Sequence, residues 1–191
     1  MKRAMVVVGL MVAALGSAAV ATKAGQPEKW LHVRVDNKTE GEVVKVNVPL
    51  SLAEKILPTI HEKELHDGKV TIGHADLNGV DLRQLLAAVR DTPDSEFVSV
   101  EQRDQTVHVA KQNGNFVIHV VDKNKGGQKV DVIVPMKVVD ALVSSGTDEL
   151  DIVAAIHALG DAGETTLVTV QDEGEGQTVR IWVDSKNTTE K

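Results

Sequence analysis

The chain writes one pattern twice. Trp30 to Leu57 (WLHVRVDNKTEGEVVKVNVPLSLAEKIL) aligns without a gap on Phe116 to Val143 (FVIHVVDKNKGGQKVDVIVPMKVVDALV) at a constant offset of 86, and Val35, Asp36, Gly41, Val44, Val46, Val48 and Pro49 recur identically. Farther along, Asp81 to Val100 aligns on Asp151 to Val170 at an offset of 70, so the first repeat carries sixteen extra residues between its two matched blocks. Whatever one repeat folds into, the other must form from residues of the same character.

Alternation identifies the strands. Leu31, Val33 and Val35 fall on one face and His32 and Arg34 on the other, while Val44, Val46 and Val48 alternate with Lys45 and Asn47. The polar stretch Asn37 to Glu42 joins them as a hairpin loop, and Pro49 stops the second strand. Ser51 with Glu54 three residues later has the form of a capping box, opening a short helix that reaches about Ile60. Asn78 to Val89 reads as a second helix, with Val80, Leu82, Leu85, Leu86 and Val89 near one face. Thr92-Pro93-Asp94 ends it, and Phe97 to Glu101 with Thr106 to Lys111 form a second hairpin. The expected fold class is therefore α+β: a tandem pseudo-symmetric repeat of β-β-α-α-β-β, with antiparallel sheet and helices packed on its faces.

The junction between repeats is Gln112-Asn113-Gly114-Asn115, and Asn-Gly between alternating apolar runs is the strongest short-range hairpin signal. A two-residue turn there pairs Val109 with Ile118 and His108 with His119. With no flexible linker, the repeats are expected to share one sheet. The domain reading is a signal at 1–21, a short polar segment at 22–29, one repeat at 30–112, the junction at 113–114, a second repeat at 115–184 and a polar tail at 185–191. Equivalence of the repeats, however, makes Val117, His119 and Val121 the counterparts of core-facing Leu31, Val33 and Val35. Either the two repeats place their helices on opposite sheet faces, or a bulge shifts the register by one.

The N-terminus reads as an export signal, with Lys2 and Arg3 before the uncharged run Ala4 to Leu15 and a small-residue cleavage site at Ala19-Val20-Ala21. The expected location is periplasmic or extracellular. The rival is an uncleaved anchor, because Ala4 to Thr22 has about the length of a membrane helix. A chain without cysteine has no lipid-modified cysteine and no disulfide framework, so its core alone stabilises it. About 170 residues after cleavage suffice for one well-buried domain. Loss of Lys2 and Arg3 shifts the net charge from −7 to −9, which repels nucleic acid and anionic membrane surfaces. The only aromatic rings besides histidine are Trp30, Trp182, Phe97 and Phe116, too few for a stacking platform on single strands.

Chemistry-bearing residues gather in the insertion. His61, His66 and His74 stand there with Glu62, Glu64, Asp67 and Asp76, the ligand types that zinc and its neighbours select. HEKELH at His61 to His66 is not the zinc-protease helix motif, since residues five apart on a helix point about 140° away from each other. Any shared site must be built by a loop, and the plain alternative is a solvated charged loop. His108 and His119 are a second candidate, placed opposite each other by the hairpin register. His32 and His157 read as structural.

The acidic runs Asp172-Glu173-Gly174-Glu175-Gly176 and Asp148-Glu149 with Asp151 lack the spacing of a calcium loop; the first reads as a solvated turn and the second as a helix start. Ser144 and Ser145 lie at a helix end without a histidine nearby in sequence, and no nucleophile elbow, dinucleotide fingerprint or phosphate loop occurs. Nothing here supports an enzyme. In the second repeat Phe116, Ile118 and Val120 face away from Val117 and His119, and Ile133 and Trp182 replace Asn47 and Ala110, making both strand faces apolar. The plainer reading of these five residues is burial against the other repeat's helices; the functional one is a surface for a protein partner or self-association. The expectation is a non-catalytic exported module for binding or assembly, without a cofactor; the alternative is a carrier or hydrolase using a divalent metal at His61, His66 and His74.

Overall fold

A computed structural model describes residues 27–62, 65–71, 88–124, 126–145 and 149–189. Two hairpins open the described chain's two halves. β1 (Trp30–Asn37) pairs with β2 (Glu42–Pro49), and β7 (Asn115–Asp122) with β8 (Gln128–Pro135). Each second strand ends in proline and runs straight into a helix of seven residues, α1 (Leu50–Ile56) or α2 (Met136–Leu142), because proline cannot donate to a ladder but suits a helix entry. Leu57–Thr59 continues α1 as one tighter turn.

The expected capping box is not formed. Pro49 stands at the cap of α1, and Glu28 takes the orphan donors, accepting from Ser51 N–H at 3.2 Å and Ser51 Oγ–H at 2.9 Å. Pairing of Trp30 with Pro49 brings the residues before β1 alongside the helix start, so Glu28 reaches it from outside the helix.

Between the halves lie β5 (Ser95–Glu101) and β6 (Gln105–Gln112); α3 (Ile152–Ala162), β10 (Thr165–Asp172) and β11 (Gln177–Asp184) follow α2. Asp151 caps α3 with its side chain, accepting from Ala154 N–H at 2.8 Å. The expected helix Asn78 to Val89 lies outside the described residues except for its last two, Ala88 and Val89, which are helical and continue as helix through Asp91. Eight strands form one sheet in the order β2-β1-β11-β10-β8-β7-β6-β5, every pairing antiparallel. The protein is α+β, mostly antiparallel sheet with a few helices. No helix among the described residues is long and apolar enough to cross a membrane, and the stretch expected to be a signal or anchor falls outside them.

The expected junction register is present: Asn113 and Gly114 both take positive φ, 51° and 72°, and His108 faces His119 as Val109 faces Ile118. Neither proposed way of reconciling the faces is used. The loop between β7 and β8 has five residues, 123–127, where that between β1 and β2 has four, 38–41. Val46 therefore faces Val33, but Val132 faces Ile118 and not His119. The match of first strands is displaced by one residue, and Phe116, Ile118 and Val120 share the face of Leu31, Val33 and Val35.

All described helices lie over that one apolar face. Leu50, Leu57, Val138, Ala155, Ile156 and Leu159 pack against Leu31, Val134, Leu167, Val168, Ile181 and Val183. Val89, Met136, Val139 and Val143 cover Phe116 and Val134 beside them. Burying each large aliphatic side chain stabilises the fold by roughly 1.5–3 kcal/mol.

Candidate functional site

The described residues of the expected insertion are not merely a solvated loop. β3 (Leu65–His66) and β4 (Lys69–Thr71) form a hairpin that pairs with β9 (Glu149–Asp151), tying the insertion to the C-terminal half. Its turn is Asp67-Gly68, with φ of 51° and 76°, the same positive pair that makes the junction turn. Gly68 is needed twice over, because its φ is positive and a Cβ there would stand 2.3 Å from Val153 Cγ2; its carbonyl accepts from Ile152 N–H at 3.0 Å. The expected helix start at Glu149 is instead strand: Glu149 pairs with Thr71 and its carboxylate lies 3.5 Å from Lys69, while Asp148 is outside the described residues.

This hairpin brings His61 and His66 together. An isolated antiparallel bridge sets the two residues opposite each other, with rings edge to face and 5.0 Å between centroids. Asp67 reaches both, 3.2 Å from His61 Nε2 and 2.9 Å from His66 Nδ1. One donor atom from each of the three lies within 4.8 Å of the others. His61 Nδ1 contacts the Thr59 carbonyl at 2.9 Å, which as an N–H donor leaves Nε2 as the ligating nitrogen, the orientation that metal-bound histidines commonly receive from a backbone carbonyl. The 3.2 Å between His61 Nε2 and Asp67 is about the spacing of neighbours in a tetrahedral shell with bonds of ~2.0–2.2 Å.

All three side chains are more than half exposed, so water can complete such a shell. Asp67 also borders an open cleft of about 720 Å³, where Glu54, Asp151 and Asp161 outnumber the cationic Lys69. Glu54 meets His157 across the cleft at 3.2 Å, and Asp151 accepts from Ser145 Oγ–H at 2.7 Å, so both carboxylates have partners. Of the expected trio, His74 lies outside the described residues, as do Glu64 and Asp76. Asp67 stands in the cluster instead. The Asp-Gly dipeptide between short apolar stretches is the signal that would have located this hairpin.

The second histidine pair faces across strands as expected, yet it does not converge on a ligand. His108 and His119 stack with centroids 6.5 Å apart, and each turns to its own carboxylate, His108 to Glu96 and His119 to Asp131, both at 2.5 Å. Asp131 is the residue paired with His119, whereas His108 is paired with Ser99 and takes Glu96 from beside Ala110, two residues along its strand.

His32 is fully buried. Its Nε2 lies 3.0 Å from Asp184 Oδ1 and its Nδ1 2.6 Å from Asn47 Oδ1, while its ring stacks on Trp182 at 4.9 Å. Trp182 Nε1–H donates to Asp184 Oδ2 at 3.1 Å, and Arg180 lies over the indole. Burial is the largest influence on the Asp184 carboxyl and pushes it up. The Lys186 N–H, the Trp182 indole and His32 together outweigh burial and hold it below the usual carboxylate value.

The five residues of the expected partner surface are divided between the two sheet faces. Trp182 is 1 % exposed, Phe116 sits under α2, and Ile118 and Val120 share the helix-covered face. Ile133 is 39 % exposed on the opposite face, so the five residues do not form one patch. Asp172 likewise is no solvated turn residue: it is buried and accepts from Glu175 N–H at 2.9 Å.

Residues 29–110 are similar to the family described as YvlB-like protein, C-terminal domain, a match over a little under half of the chain. That description names no activity. No curated protein and no solved structure matches the chain.

Proposed function

We propose that the chain is a non-catalytic exported module, built by tandem duplication, that works by binding or assembly through its sheet. The observation that carries this reading is a pair of open sheet edges. Among the described residues the outer sides of β2 and β5 have no strand partner, and Val43, Val44, Phe97 and Val98 on them are 53, 44, 37 and 42 % exposed. Edges of this kind invite strand addition unless a partner covers them.

Duplication is supported by the two hairpin-and-helix units, by matching register shifts at Glu96/Val98 and Thr166/Val168, and by a family match that ends within two residues of the first repeat. Export is supported by the N-terminal pattern of charge, apolar run and small residues. Expressed in a bacterial host, the full chain is expected outside the cytoplasm with an intact mass that begins at Thr22. A chain retaining Met1 in the membrane fraction would replace the exported module with an anchored one. A chain that stays monomeric and recovers no partner from an exported-protein extract would end the binding reading.

A second reading, a divalent-metal carrier or metal-dependent hydrolase, is favoured by one observation, the convergence of His61, His66 and Asp67 beside an acidic cleft. Zinc, copper and calcium are each added to purified protein and the melting temperature followed. A rise with zinc or copper that His66→Ala abolishes supports the site; no rise with any of the three removes it.

A further inference from the structure

We infer that the two open edges complement one another: β2 of one copy of this chain pairs antiparallel with β5 of a second copy, in the register that β8 and β10 use within the chain. The inference rests on the binding-or-assembly reading and names its partner. β8 leads through proline into α2, and the chain returns through α3 into β10, which lies against β8. β2 leads through proline into α1, and the chain returns through helical residues 88–91 into β5, which carries its register shift where β10 does. Yet β2 and β5 are the two outermost strands of the sheet.

The internal pairing supplies the register. Val132 faces Val168, Asp131 faces Thr169, Val130 faces Val170 and Lys129 faces Gln171. Transferred to the open edges, Val46 faces Val98, Lys45 faces Ser99, Val44 faces Val100 and Val43 faces Glu101. The exposed Val44 and Val98 then join one valine row on the helix-covered face, continuing Val33 and Val35 on one side and Val107 and Val109 on the other. On the polar face Lys45 lies opposite Ser99 and diagonal to Glu101, a favourable charge pair. A slip by one residue would set Val46 against Ser99 and break the row, so the register is specified.

Within one chain six strands separate the edges, each step about 4.8 Å, and they meet only if the whole sheet curls closed. A second copy presents its β5 without that distortion. The contact is head to tail, so each new copy leaves one edge open and association continues past the dimer or closes into a ring.

The absence of cysteine makes introduced thiols diagnostic. Full chain carrying only Val46→Cys is mixed with chain carrying only Val98→Cys under mild oxidation. The expected product is a disulfide-linked heterodimer, whereas Lys45→Cys mixed with Val98→Cys, on opposite faces, gives none. Sedimentation of the unaltered chain should show mass rising with concentration, and Val44→Lys should weaken that association roughly tenfold or more. Equal linking by both mixtures overturns the register. An unaltered chain that sediments as a monomer at all concentrations, or a Val46→Cys/Val98→Cys chain that forms only an internal disulfide, overturns self-pairing. A monomer that captures a different protein through β2 overturns this inference and leaves the binding reading standing; one that captures nothing ends both.

Discussion

His32 with Asp184, and His61 and His66 with Asp67, are made of the same side chains at similar distances, 3.0 Å in the first group and 2.9 to 3.2 Å in the second. The first is sealed between strands β1 and β11, with Trp182 as its floor; the second stands on a hairpin turn with every member more than half exposed. Burial separates their roles. A sealed pair is committed to the fold, since removing a member leaves buried polar groups short of a hydrogen bond that water does not replace. An open pair contributes little to stability, and its lone pairs remain available to a ligand. A histidine beside a carboxylate is thus no indication of chemistry until its solvent access is known.

The contrast breaks most easily at the sealed group. Trp182→Ala removes the floor under His32 and should lower the unfolding free energy by about 3–5 kcal/mol in a urea titration. A loss no larger than that of a surface substitution would mean the group is not sealed in solution.

Acid provides the next test. Because the folded Asp184 carboxyl sits below its unfolded value, its contribution is fully present above about pH 4 and fades as pH falls through the folded value. Urea midpoints measured from neutral pH down to pH 2 should decline at the acid end, and Asp184→Asn should flatten that decline while lowering stability at neutral pH.

Gly68→Ala sharpens the comparison at the open group. Positive φ costs a side chain about 1–2 kcal/mol, and the contact with Val153 adds to it, so the hairpin should loosen from α3 with faster amide exchange at Ile152. The smallest stability effect is expected for His61→Ala, within about 0.5 kcal/mol in metal-free buffer, as for most surface changes. The same variant should lose any melting shift that zinc produces in the unaltered chain.

Local chemistry was legible in the residues; distant coincidence was not. Asn113-Gly114 announced both its turn and the His108 to His119 register because a two-residue loop leaves the flanking strands one way to pair. Asp67-Gly68 carried the same message within a stretch that looked merely charged. The extra residue in loop 123–127 was hidden by the identities Val35/Val121 and Asp36/Asp122, which favour a gapless match although loop length sets the register. Glu28 at the start of α1 and Trp182 beneath His32 depend on contacts across the sheet, 23 residues away in one case and in the other between strands at opposite ends of the chain. No window of sequence contains both partners.

The placement of β11 has a consequence for how the molecule is made. It lies between β1 and β10, so the last of the described strands to be synthesised is the one that joins the first hairpin to the rest of the sheet. A chain stopped before Gln177 leaves β1 and β2 with only each other as strand neighbours, and a lone two-stranded hairpin is marginal in water. Contacts this distant in sequence form slowly, because loop closure must come before they stabilise anything. The sheet therefore cannot assemble in the order in which its strands emerge; its first hairpin waits, unattached, for the eight residues of β11.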